Sequence, residues 1–167
     1  MRKLILLLFI VLASVSVSLA QKTTVYFVRH AEKNMIDPSS KDPELSGDGV
    51  KRTQDLVKFL RKEKIAAVFS TNYKRTIQTA DPVAKKANKE VIIYDAGKIA
   101  ELVHKVTTEY KGKTVLIVGH SNTVLPMVKA FGGSTNLIEI KDYEYNYLFR
   151  VVIDGDKVVT TQYTYGD

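Results

Sequence analysis

The chain predicts an α/β fold: a three-layer α/β/α sandwich on a mostly parallel sheet, with an antiparallel edge closed by a C-terminal hairpin. Three observations carry this reading. From residue 24 to residue 131, short runs of strand formers alternate with amphipathic helical periods, the pattern of stacked βα units. Beyond that the helical period stops, and two β-rich runs flank Asp154-Gly155-Asp156, a hairpin turn sequence. The 167 residues show no repeat, linker or low-complexity tract, so one domain accounts for them.

The first twenty residues read as a signal peptide. Arg2 and Lys3 form a positive start, Leu4 to Leu12 is an unbroken apolar run, and Ser18-Leu19-Ala20 supplies the small residues of a cleavage site. Cleavage is expected after Ala20, leaving a domain of residues 21–167 in the periplasm or secreted. If the segment stays uncleaved, it is the only part expected to meet a membrane.

The elements follow in order. Thr24 to Val28 holds five strand formers without a breaker. Asn34 to Glu44, with Pro38 and Pro43, reads as a loop. A helix is expected from Ser46 to Lys62, with Val50, Thr53, Val57 and Leu60 on one face. Ile65 to Phe69 is the second strand. Ser70-Thr71-Asn72 offers N-caps for a helix through Arg75 and Thr79 that Pro82 should kink or restart. Val91 to Tyr94 is a third strand. Ile99, Leu102, Val103, Val106 and Tyr110 recur at helical spacing up to a closing Gly112. Thr114 to Val118 is the fourth strand, and a helix is expected from Thr123 to Phe131. Leu137 to Ile140, Tyr147 to Ile153 and Lys157 to Tyr163 complete the strands.

Composition narrows the chemistry. There is no cysteine, which rules out disulfides, thiol nucleophiles and thiolate metal sites. The net charge is +7, and +5 without Arg2 and Lys3. Much of the excess is lysine on helix faces, without the long basic run or basic-aromatic stripe of a nucleic-acid binder, so no nucleic-acid partner is expected.

Two strands end in histidine: Thr24 to Val28 runs into Arg29-His30-Ala31-Glu32, and Thr114 to Val118 into Gly119-His120-Ser121-Asn122. Arg75 follows a third strand. Parallel βα units deliver such loops to one crevice at the carboxyl edge of the sheet. Guanidinium forks hold a phosphate bidentately, and a neutral imidazole can attack phosphorus when fixed donors hold the charge on its oxygens. Together these residues suggest one phosphate site.

These segments also resemble the signatures of the histidine phosphatase superfamily, the phosphoglycerate-mutase-like fold. Val28-Arg29-His30-Ala31-Glu32-Lys33 is similar to its Arg-His-Gly motif, with Ala31 in place of the glycine. Leu45-Ser46-Gly47-Asp48-Gly49 resembles its Leu-Ser/Thr-x-x-Gly helix start. Ser70 to Ala80 resembles its Ser-x(4)-Arg-x-x-x-Thr-Ala segment, and Val118 to Asn122 its second-histidine motif. The resemblance implies that His30 becomes a phosphohistidine, and that Arg29, Arg75 and His120 form the phosphate pocket with it. It also implies that water releases the phosphate without a metal or cofactor. Asn122 and Ser121 are candidate phosphate donors or helix caps.

The acid that protonates the leaving group is not marked. The histidine-aspartate pair of the acid-phosphatase branch is absent, since Ser121 follows His120. Asp95, just past the third strand, is the first candidate, and an N-cap is its alternative role. Glu32 is expected to pair with a pocket arginine, while Glu101 and His104 are expected at the surface. The substrate class is a phosphorylated small molecule or phosphoprotein. A phosphoanhydride or phosphohistidine hydrolase with the same pocket, and a non-catalytic phosphate-binding module, are the alternatives.

Overall fold

The computed structural model describes residues 22–166, so the expected signal peptide lies outside the described residues. The elements are β1 (Thr23–Arg29), α1 (Gly47–Phe59), β2 (Ile65–Ser70), α2 (Lys74–Lys86), β3 (Val91–Ile93), α3 (Ile99–Glu109), β4 (Thr114–Gly119), α4 (Ser121–Ala130), β5 (Tyr147–Asp154) and β6 (Lys157–Thr164). They build one six-stranded sheet in the order β3-β2-β4-β1-β5-β6. The first four strands of that order are parallel, and β5 and β6 run antiparallel as the edge hairpin. This is the expected fold class.

The period-2 alternation of the strands makes two cores. Val25 and Phe27 of β1, with Val115 and Ile117 of β4, face α3 and α4 and pack on Leu102, Val106 and Val124. Tyr26, Val28, Leu116 and Val118 face α1 and α2 and pack on Leu56, Ala80 and Val83. The central strands are apolar on both faces because both faces are covered. Each parallel strand therefore ends at the same edge, and β1 and β4 end there side by side, with Arg29 opposite Gly119.

Several local expectations are corrected. Leu137 to Ile140 is not a strand. Ile140 and Leu137 anchor it to the α3–α4 core, and the hydrogen bonds of the preceding residues to β6 run through Thr160 and Thr135 side chains rather than a backbone ladder. The second helix is not capped by Ser70, Thr71 or Asn72. Its N-cap is Tyr73, and the free Lys74 amide donates instead to Asp42 Oδ1 of the distant 34–44 loop at 3.0 Å. Pro82 lies inside α2 without ending it. Helix α1 stops at Phe59, with Leu60 as C-cap, and α3 has Tyr110 as its C-cap, with Gly112 in the turn beyond at φ +74°. Helix α4 begins two residues earlier than expected, with His120 itself as N-cap.

Ser46 caps α1 by accepting from the Gly49 amide at 3.1 Å. A Cβ on Gly49 would lie 2.2 Å from the Glu32 carbonyl oxygen, so this glycine lets α1 lie against the loop that carries His30. A Cβ on Gly47 would meet nothing within 4 Å. Gly49→Ala is expected to destabilise the fold by about 1–3 kcal/mol, the usual cost of forced overpacking, while Gly47→Ala is neutral or slightly stabilising. Urea unfolding of the two variants beside the parent checks the contrast.

Candidate active site

His30 sits one residue past β1. Its amide continues the β1–β4 ladder by donating to the Gly119 carbonyl at 2.9 Å. Its side chain is 4% exposed, and Nδ1 lies 2.8 Å from the Ala31 carbonyl oxygen. A carbonyl only accepts, so Nδ1 carries the proton and donates, which leaves Nε2 with its lone pair. The loop is fixed from the other side as well. The Ala31 amide donates to Thr79 Oγ1 at 2.9 Å, and Thr79 Oγ1 donates to the Arg75 carbonyl at 2.7 Å. The threonine four residues after Arg75 thus ties the first turn of α2 to the histidine loop.

His120 reaches the site from β4. Its amide donates to Thr123 Oγ1 at 2.8 Å, and its Nε2 lies 2.8 Å from Thr71 Oγ1 at the end of β2. Thr71 is in turn bonded to Thr76, at 3.0 Å between hydroxyls. The His120 ring packs edge-on against His30, with centroids 5.4 Å apart, and against Tyr73 at 5.2 Å. A Cβ on Gly119 would come within 2.7 Å of Met127 Cε and Thr123 Oγ1, so glycine is what lets α4 turn back this sharply after His120.

The two arginines differ. Arg75 stands over the Tyr73 ring at 4.7 Å, with Nη1 3.6 Å from Asp42. Arg29 is buried, and its Nη1 donates to the carbonyls of Lys141, Asp142 and Glu144 at 2.7, 3.1 and 3.1 Å. Its guanidinium stacks on Tyr145 at 4.3 Å, and its Nη2 lies 3.5 Å from the exposed Asp142 carboxylate. Arg29 therefore folds the 141–145 segment over the site as well as facing it, and its buried Nε has no hydrogen-bond partner among the described residues.

Arg29, His30, Arg75 and His120 line one open cleft of about 390 Å³, with Asn122 and Asp142 on its walls. Sequence reasoning placed the first four and Asn122 in one site, and they line one cleft. Asp95 is not on that wall. Its carboxylate is exposed and accepts from the Gly97 amide at 2.8 Å, and Ala96 is the residue that faces the cleft. Nor is Asp95 a helix cap, since α3 starts after Lys98. Glu32 pairs not with a pocket arginine but with Arg52 at 2.7 Å, which also donates to the Tyr165 and Gly166 carbonyls at 2.9 and 3.2 Å. Glu101 and His104 are exposed, as expected.

Sequence reasoning missed Thr71, Tyr73, Tyr145, Asp42 and Asp142. Thr71 and Tyr73 lay in plain view inside the Ser70 to Ala80 motif. Nothing local marked the other three, which arrive from loops far along the chain. Among the described residues, no three His, Asp or Glu side chains converge as a metal's ligands do.

The sequence of residues 25–97, from β1 to the turn before α3, matches the family model of the histidine phosphatase superfamily (branch 1). Over those residues the chain is similar to this superfamily. A search of curated proteins found no match. Among solved structures, the chain is similar to Bacillus stearothermophilus YhfR (18% identity, TM-score 0.67, covering 87% of this chain and 97% of that one). It is also similar to the protein histidine phosphatase SixA complexed with tungstate (18% identity, TM-score 0.66, 84% and 96% covered). A third is phosphoglycerate mutase from Bacillus anthracis str. Sterne (14% identity, TM-score 0.66, 89% and 95% covered). At these identities the likeness is one of fold.

Charge and burial act together on the two imidazoles of this site. Burial, then the positive charges of Arg29 and Arg75, lower the His30 pKa to about 3, against the opposing pull of the Ala31 carbonyl. Burial, then Arg75 and Arg29, lower that of His120 to about 4. Both rings are neutral at neutral pH. An unfolded chain takes up protons on these histidines near pH 6.5, whereas the folded site refuses them until about pH 4 and below. In that window the unfolded state binds more protons, so stability falls as pH drops. The melting temperature is expected to fall between pH 6.5 and 4 with a steeper slope in the parent than in the double variant His30→Gln, His120→Gln.

Proposed function

We propose that this protein is a metal-independent phosphatase that hydrolyses phosphomonoesters through a phosphohistidine on His30. The observation that carries this reading is the bond from His30 Nδ1 to the Ala31 carbonyl. It leaves a bare, neutral Nε2 inside a pocket of fixed positive charge. A pocket that only bound phosphate would have no use for that lone pair.

The steps follow from the residues present. The phosphoryl group docks against Arg75, His120 and the free face of Arg29, with the N-terminal amides of α4 beside it. Nε2 attacks phosphorus as the bond to the leaving oxygen breaks, the departing oxygen takes its proton from solvent, and Nδ1–H keeps its bond to Ala31, which steadies the developing imidazolium. Water then attacks phosphorus opposite Nε2. The N–P bond breaks, phosphate leaves, and the proton from water is shared with solvent. The expected signal peptide supports action in the periplasm or outside the cell, where the bisphosphorylated cofactor of a mutase is not at hand.

A second reading has an observation of its own. With Asp95 engaged at Gly97 and off the wall, Asp142 is the one carboxylate lining the cleft among the described residues, and it faces Arg29. Its exposed side chain lies against the Arg29 guanidinium, so the cleft holds no carboxylate set aside for the leaving group. This favours substrates whose leaving group needs little help, such as a phosphoanhydride or a phosphohistidine on a protein. One of the similar structures is that of a protein histidine phosphatase.

The test follows phosphate release from a panel of monoesters, anhydrides and phosphohistidine, with EDTA present. Release is expected in the parent and none in His30→Ala. A phosphorylated protein that is acid-labile and alkali-stable should be trapped on rapid quenching. Arg75→Ala should lose about 3 kcal/mol of transition-state stabilisation, on the order of a hundredfold in rate. Near-normal rates in either variant overturn the assignment. Selective turnover of phosphohistidine and anhydrides establishes the second reading over the first.

A further inference from the structure

We propose that the edge of the sheet opposite the cleft is a docking surface for an anionic phospholipid bilayer. The sequence disperses its excess lysine along the chain, but the topology collects much of it in one place. Every loop that enters a parallel strand lies at the edge away from His30, and so does the β5–β6 turn, because Ile153 pairs with Thr23. The α1–β2 loop brings Arg61, Lys62 and Lys64 against Glu63. The α3–β4 turn brings Lys111 and Lys113 with no acid, and Lys22 opens β1. Lys89 and Lys157 are offset there by Glu90, Asp154 and Asp156. These entry segments hold eight cations against four acids.

The cleft edge has the opposite balance. Lys33, Lys41, Lys98 and Lys141 in its loops are outnumbered by eight acids, among them Asp37, Asp42, Glu44, Asp142 and Glu144. The molecule is therefore polarised along the strand direction. A negatively charged plane attracts the entry edge more strongly than the cleft edge, where Arg29, Lys74 and Arg75 are set among the acids, and so leaves the cleft facing away from it.

The basic edge also has a built concavity. A cavity of about 470 Å³ opens between the C-terminal ends of α1 and α2, with Leu60, Ile65 and Val83 as floor and four cations, Arg61, Lys64, Lys86 and Lys89, against the single acid Glu63 in its lining. An apolar floor under a mostly cationic rim suits a lipid phosphate with its glycerol. It suits a nucleic acid poorly: the only aromatic in these entry segments is Tyr110, and its ring packs on Phe69, with centroids 5.5 Å apart, instead of offering a stacking platform. The polypeptide also enters the fold at this edge, through Lys22, directly after the segment that holds the apolar run Leu4 to Leu12.

The full chain is sedimented with vesicles of phosphatidylcholine alone, and with vesicles of equal parts phosphatidylcholine and phosphatidylglycerol. Binding to neutral vesicles sets the contribution of the apolar leader. Stronger binding to the anionic vesicles is expected, and the difference should vanish in about 0.5 M salt. The quadruple variant Lys62→Gln, Lys64→Gln, Lys86→Gln, Lys89→Gln should lose that preference by roughly several hundredfold, and Lys62→Gln or Lys89→Gln alone by about fivefold. Circular dichroism melts confirm that the variants are folded. Lys41→Gln with Lys98→Gln, which removes charge at the cleft edge, should leave binding unchanged. Equal binding to both vesicle types overturns the proposal, as does a preference that survives the quadruple substitution. Tighter capture by duplex DNA than by anionic vesicles overturns it in favour of a nucleic-acid surface.

Discussion

The hydrogen bond from the His30 amide to the Gly119 carbonyl holds the site together. It adds one rung to the ladder between β1 and β4 after both strands have formally ended. That rung fixes the backbone of the first histidine against the residue before the second. The two rings then meet edge-on with little freedom left to either. A slip of one residue between these strands would turn His30 into one of the two cores and break the site.

Support for the site spreads outward from that rung through short, buried polar links. Thr79 joins the His30 loop to the turn of α2 that carries Arg75, and Thr71 joins the end of β2 to His120. Each is a hydroxyl whose partners are both protein groups, so neither is available to move without leaving a buried polar atom unpaired. Three strand ends and one helix are thereby made into a single rigid frame. Arg29 does the same for the far end of the chain, gathering the carbonyls of 141–144 around its guanidinium. Neutral histidines beside fixed cations are the electrostatic result, since burial and the arginines both disfavour a third positive charge.

Much of this was legible in the sequence. The alternation of β1 and β4 specified strands covered on both faces, and a parallel arrangement brings their ends to one edge. His30, His120, Arg29 and Arg75 therefore converge for a reason already present in the order of elements. Local detail was less legible where a distant partner overrode a local preference. Ser70, Thr71 and Asn72 are all good caps by type, yet Asp42 supplies the carboxylate at the start of α2, leaving the Thr71 hydroxyl for His120. Leu137 to Ile140 has strand composition, yet its apolar residues find a core without a ladder. Asp95 sits at the right strand end, yet it turns to the nearest free amide, at Gly97.

The sequence by itself determined the layers, the edge at which the chemistry gathers, and the residue types able to hold phosphate, because hydrophobic period and residue chemistry are local properties. Tertiary structure decided which nitrogen of His30 is free, which acid faces the cleft, how Arg29 divides its donors, and where the excess charge collects. Those outcomes depend on distances between residues far apart along the chain, and only the closed fold sets such distances.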